Sequence, residues 1–208
     1  RLPSKRLDEV PTVANHARAF LARAEKAYPW LEFRLSGGIM ADMTFKEAGE
    51  LDLRTLVPVM IAIMLGILWL GFRSVGGTLA TVLVIVLSVT TALGGAGWVG
   101  LVLNSATSAT PIIIMTLCIA DCVHIMTTLA QQRKAGLELR PAVVESMRIN
   151  AGPVAITSLT TAIGFLTLNF GDSPPLAQLG TIVATGMVAA FVYSVTFFPA
   201  LLSLIPAA

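Results

Sequence analysis

From residue 55 onward the chain is a series of long apolar runs broken by short polar or glycine-rich interruptions. An apolar helix needs about 20 residues to cross the hydrocarbon core of a bilayer, so the distance between charges is a test for spans. Arg54 and Arg73 enclose 18 uncharged residues, TLVPVMIAIMLGILWLGF, which make one short span. No charge follows Arg73 until Asp121, and the polar, glycine-rich break in that stretch is GWVGLVLNSATSATP, so two spans fit there. Two more are separated by the turn Gly171, Asp172, Ser173, Pro174, Pro175. The pattern predicts five membrane helices, at about 54–72, 76–97, 107–130, 151–170 and 176–204.

The first 54 residues read differently. Residues 8–28 carry Val10, Val13, Ala14, Ala17, Phe20, Leu21 and Ala24 at helical spacing, and Pro29 stops them. Leu31, Phe33 and Leu35 then alternate with Glu32 and Arg34, which predicts a strand ending at Gly37 and Gly38. One helix and one strand cannot close a core, so this head is expected to belong to a larger α+β domain. From Asp42 a charged helix runs into the first span. Between the third and fourth spans, residues 137–149 (LELRPAVVESMRI) predict a short amphipathic helix at the membrane interface, with Pro141 near its start. The expected fold class is an all-α polytopic membrane bundle of five transmembrane helices, residues 49–208. A small α+β fragment of an extracytoplasmic domain, residues 1–48, precedes it.

Composition sharpens this reading. Apolar residues make up 55% and charged residues 12%, against roughly 45–50% and about 25% in soluble domains; the mean hydropathy is +0.81. Residues 1–54 hold 17 of the 26 charges. A net charge of +2, with no basic patch interleaved with aromatics, excludes a nucleic-acid partner. The two cysteines, Cys118 and Cys122, lie inside an apolar run and form no disulfide framework. Loops at 73–75 and 131–148 hold Arg73, Arg133, Lys134, Arg140 and Arg148, whereas those at 98–106 and 171–175 hold no Lys or Arg. That asymmetry predicts a cytoplasmic loop at 131–150 and a head outside. RLPSKRLDE is charged and is no signal peptide, so the chain is expected to be cut from something longer.

One charge falls inside a span. Asp121 stands near the middle of TPIIIMTLCIADCVHIMTTLA, where a carboxylate costs about 2.5–3.5 kcal/mol on insertion scales. Protonation, a partner or a water-filled cavity must offset that cost, and all three are parts of a proton relay. At 100° per residue His124 lies about 60° round from Asp121 and Thr128 lies between them, so the three form a polar stripe. His124 either pairs with Asp121, extends the path, or only packs. The fourth span adds Thr157, Ser158, Thr160, Thr161, Gly164, Thr167 and Asn169, small or hydroxylated groups that can reach a neighbouring helix. Cys118, Asp121, Cys122 and His124 occupy consecutive turns of one helix, a poor tetrahedral cage, and no metal is expected.

The mid-span ADxVH segment, the run ITSLTTAIGFLTL, the turn FGDSPPLAQLG and the closing FFPALLSL together resemble the resistance-nodulation-division superfamily. Within it the chain looks most like the hydrophobe- and lipid-exporting branch, of the MMPL and hopanoid-transporter kind, whose membrane half is related to the sterol-sensing domain. The resemblance covers about residues 35–208. It implies that the five spans are helices two to six of one six-helix repeat, and that residues 1–48 end an extracytoplasmic domain. It also implies that Asp121 is the proton-relay acid, with His124 in the exporter-like form and Thr160 and Thr161 as the fifth-helix pair beside it. Many members have Gly where Leu117 stands, and the adjacent second acid of drug-efflux members is here Cys122.

The expected function is part of an exporter of hydrophobic, lipid-like molecules, a secondary transporter and no enzyme. The proton gradient is its energy source, with no cofactor, and Asp121, His124, Thr128, Thr160 and Thr161 are its relay. The resemblance implies a bacterial inner-membrane location, with membrane lipids, a hydrophobic substrate and a second repeat of the same transporter as partners; homo-oligomerisation is left open. A lipid-binding regulatory module of the sterol-sensing kind is the alternative, and a protein-translocation auxiliary is a third.

Overall fold

The computed structural model describes residues 10–72, 74–101, 104 and 106–204. All regular structure among them is helical: α1 (Val10–Ala27), α2 (Gly38–Arg54), α3 (Leu56–Phe72), α4 (Val75–Trp98), α5 (Thr110–Lys134), α6 (Leu139–Leu166), α7 (Pro174–Val195) and α8 (Phe197–Leu204). Two compact units result, Arg1–Leu56 and Val57–Ala208. Five helical stretches are long and apolar enough to cross a membrane: Gly38–Leu70, Val75–Trp98, Thr107–Lys134, Leu139–Phe170 and Pro174–Leu204. Each contains one of the predicted spans or most of it. Asp8 and Glu9, at the expected start of the first helix, and Arg73, counted among the basic loop residues, lie outside the described residues.

In the first unit α1 and α2 meet at Ala14, which is fully buried. Arg18 donates two hydrogen bonds to the Glu47 carboxylate, at 2.6 and 2.9 Å, and ties the two helices. Val13, Ala14 and Ala17 line a mostly apolar pocket of about 250 Å³ with residues 35–40. The strand expected at residues 31–35 is not formed, and that segment is irregular, with Leu31 and Leu35 exposed. A strand exists only through backbone bonds to a partner, and no other described segment of this unit is extended beside it. The α+β expectation for the head is therefore corrected: its described residues are helical with irregular connections.

The second unit is a helix bundle in which α4, α5, α6 and α7 pack on one another and α8 closes one end. Two helix ends show why the chain turns where it does. After α4, Leu101 N–H reaches Ala96 O and Gly100 N–H reaches Gly97 O, with Gly100 at φ +76°. After α5, Leu137 N–H reaches Gln132 O and Gly136 N–H reaches Arg133 O, with Gly136 at φ +94°. These are paired bonds around a left-handed glycine, which satisfy carbonyls that the helix leaves open. At the other ends, Ser74 caps α4 by accepting from Gly77 N–H, and Pro111 and Pro174 stand in first turns, where a missing N–H is harmless.

The amphipathic helix expected between the third and fourth spans is no separate element. Its residues are the first turns of α6, which runs unbroken for 28 residues, about 42 Å, against a hydrocarbon core of about 30 Å. Ala142, Val143 and Ser146 are buried on this extension, so its packing face continues the face of the span. Pro141 falls in the first turn and Pro153 inside the helix, where it leaves the Ile149 carbonyl without its helical donor.

Candidate functional site

Asp121 is the twelfth residue of the 25 in α5, the helix that contacts α4, α6 and α7. It is 5% exposed. No Lys or Arg among the described residues pairs with it. Its Oδ2 accepts one long hydrogen bond, 3.4 Å, from the Ser158 hydroxyl of α6. Ser158 is 4% exposed and belongs to a buried row on α6, Ser146, Asn150, Val154, Ser158 and Ala162, spaced every fourth residue. Four-residue spacing keeps side chains on one face, which is why this serine and not its neighbours meets α5.

The other predicted site residues fall elsewhere. His124 lies one turn from Asp121 but is exposed, and no hydrogen bond joins the two. Thr128 is half-buried and donates to the His124 carbonyl at 3.2 Å. Thr160 is exposed, its hydroxyl donating to Ile156 O and Thr157 O of its own helix. Thr161 is half-buried. Thr160 lies two positions beyond Ser158, about 200° round the helix, so within this chain it turns away from α5. Cys118 and Cys122 are fully buried in the bundle core, and the fully buried Ser194 of α7 lies beside Cys122 without an aligned hydrogen bond.

The surroundings of Asp121 differ in its two directions. Toward the α5 start, Ile113 and Leu117 pack with Ala162 and Phe165 of α6 and Val183 and Met187 of α7 in an apolar cluster. Toward the α5 end, the same strip of the helix continues as His124, Thr128, Gln131 and Gln132. On α6 that direction carries Ser146, whose hydroxyl donates to Ile125 O at 2.6 Å, and Asn150, whose amide donates to Ser146 O at 2.8 Å. Ser158, one of the fourth-span residues that the sequence offers as able to reach a neighbouring helix, is the partner of Asp121, and Asn150, which the sequence reading does not single out, lies on the same row. The row of small residues at every fourth position on α6 is the signal that locates them.

Comparison with known proteins agrees with this architecture. The chain is 30% identical over 149 residues to the hopanoid transporter HpnN of Rhodopseudomonas palustris, covering 70% of this chain and 17% of that protein. It is 28% identical over 136 residues to a protein of Methanocaldococcus jannaschii described as a membrane protein, covering 65% of this chain and 35% of that one. The chain thus spans a minor part of the length of the curated relatives it matches. A family model, that of the MMPL family, matches residues 4–208. With that match and five helices fit to cross a bilayer, this is a multi-pass membrane protein, and the chain belongs to the MMPL family.

Proposed function

We propose that this chain is part of a proton-driven exporter of hydrophobic, lipid-like molecules, in which Asp121 binds and releases the driving proton. The observation that carries the reading is a carboxyl group in the middle of a membrane-crossing helix with one long hydroxyl contact and, among the described residues, no cationic partner. Such a group is costly to keep charged, so its protonation is coupled to the packing of the helices round it. On gaining a proton it becomes a donor to Ser158 or to a neighbouring helix; on losing it, it demands solvation. His124 and Thr128 extend the path, and the exposed faces of α5 and α6 that carry His124, Thr157 and Thr160 are the surface that a second repeat would cover.

Likeness to a hopanoid transporter supports a lipid-like cargo. Arg133, Lys134, Arg140 and Arg148 at one end of the bundle, against Asp172 at the other, support a cytoplasmic position for the 131–148 end and a bacterial inner-membrane location. The test is Asp121→Asn in the full-length protein reconstituted in vesicles. The reading requires lipid export and its dependence on an imposed pH gradient to be lost; transport that continues with the same pH dependence refutes it.

A further inference from the structure

The two directions out of Asp121 are chemically unlike, and the geometry points to proton access from one side only. We propose that in this conformation Asp121 communicates with water along the α5–α6 seam toward the 131–148 end, and that Leu117 and its neighbours are a hydrophobic seal against the opposite surface. The inference rests on the reading of Asp121 as the proton site and adds the route and the barrier.

Toward the 131–148 end polar groups recur on α5 and on the facing row of α6, with Val154 and the buried Ile125 as the apolar residues among them. His124, Thr128 and Gln131 follow Asp121 on its strip of α5, while Ser158, Asn150 and Ser146 lie on the α5-facing row of α6. Groups spaced by about one turn, roughly 5.4 Å, are within reach of one another through single bridging waters. His124 and Gln131 are exposed on this chain and Thr128 half-buried, so the strip edges the face that a second repeat would cover rather than the packed core.

Toward the other surface, the next residues on the Asp121 strip are Leu117, Ile114 and Ile113, about three turns of apolar side chains before the buried Thr110. Ala162, Phe165, Val183 and Met187 cover Leu117 and Ile113 from two further helices. Side chains of that kind offer water no hydrogen bond, and a constriction lined by them empties of water. The titratable groups around Asp121 are all on α5 itself, namely His124 and the buried Cys118 and Cys122. The α6 row that faces it has none, and Tyr193 of α7 is engaged with Thr91 of α4 at 3.0 Å. No second titratable group among the described residues bridges the seal.

Cysteine accessibility in the full-length protein tests the route without relying on transport. Ser158→Cys and Ala162→Cys stand one turn apart on the same buried row, and both are small-for-small substitutions. A charged methanethiosulfonate reagent applied from the 131–148 side is expected to label Ser158→Cys several-fold faster than Ala162→Cys. Reagent from the opposite side is expected to label neither above the parent protein. Equal labelling of the two, or faster labelling of Ala162→Cys from the opposite side, overturns the proposal. The seal is tested by Leu117→Ser in sealed vesicles. A several-fold increase in passive proton leak that disappears in Leu117→Ser/Asp121→Asn is expected, and an unchanged leak from the folded variant overturns the seal. Labelling as expected together with undiminished transport by Asp121→Asn would refute the proton-site reading and leave the one-sided water path standing.

Discussion

Three glycines test how closely the helices of the bundle pack, because adding the same methyl group has three different consequences. At Gly180 a Cβ would collide with the Phe165 carbonyl oxygen of α6 and press on Leu168 Cβ at 3.1 Å. This carbonyl belongs to the last turn of α6 and is backbone, which cannot rotate away as a side chain does, so α6 and α7 must part by on the order of 1 Å to restore ordinary contact. Overfilling a packed interior costs about 1–3 kcal/mol, and replacing a helical glycine with alanine returns about 1 kcal/mol, so Gly180→Ala should lose up to about 2 kcal/mol. At Gly186 the obstruction is the Ile114 side chain, its Cγ1 as well as its Cδ1 end, with Ala92 Cβ at 3.1 Å. Turning the Cδ1 end relieves part of the clash, but χ1 of a buried β-branched residue in a helix is stiff, so a net loss of about 0–1 kcal/mol is expected. At Gly66 nothing lies within 4 Å, so alanine should stabilise α3 by up to about 1 kcal/mol. Thermal unfolding of the chain in bicelles reads the series. For a chain of this size 1 kcal/mol corresponds to roughly 2–4 °C. If Gly180→Ala is as stable as Gly66→Ala, α6 and α7 do not approach as described, and the reasoning fails.

Two other predictions follow from single contacts. Ser158→Ala removes the one hydroxyl bonded to Asp121 and should cost about 0.5–1 kcal/mol, whereas Thr160→Ala removes only bonds to its own helix and should cost less than about 0.5 kcal/mol; equal losses in the same bicelle assay would contradict the assignment of Ser158 to the α5-facing row. Arg18→Gln removes the paired hydrogen bonds that tie α1 to α2, so amide exchange in α1 should accelerate, and 1 M salt should reproduce part of that effect in the parent protein; α1 exchange unchanged in the variant would show that Ala14 packing alone holds the two helices.

The spans were legible because the bilayer imposes a length and a near absence of charge, and both are one-dimensional properties that a sequence displays directly. The gap between Arg73 and Asp121 and the turn at 171–175 placed four helices almost without further argument. What failed to read were features that depend on a partner or on continuity. Leu31, Phe33 and Leu35 have the alternation of a strand, but alternation states a preference and the ladder needs another chain segment. Residues 137–149 have the composition of an interfacial helix. Composition does not say whether a helix stops, and the buried face of Ala142, Val143 and Ser146 runs on into the row that includes Asn150 and Ser158. Pro153 does not interrupt it, because a proline inside a membrane helix is tolerated where neighbouring groups re-satisfy the freed carbonyl.

The site was legible in its acid and less so in the acid's partner, for a reason particular to membranes. In water a helix marks its buried face with apolar residues; in lipid both faces are apolar, and polarity no longer distinguishes them. Size distinguishes them instead. On α4 the buried residues are Gly77, Ala80, Thr81, Val84, Ser88, Ala92 and Ala96, while Leu79, Leu83 and Val86 are exposed. On α6 the buried row is Ser146, Asn150, Val154, Ser158 and Ala162, while Ile156, Leu159 and Ile163 are exposed. The Thr160 and Thr161 pair is conspicuous as a motif, but the row of small residues passes through Ser158. Large residues therefore face outward on these helices and small ones face the bundle, which places the hydroxyl next to Asp121 by packing alone. The same rule gives Leu117 its weight: a large side chain on the bundle-facing strip, one turn from the buried acid, fills space that a smaller residue would leave for water.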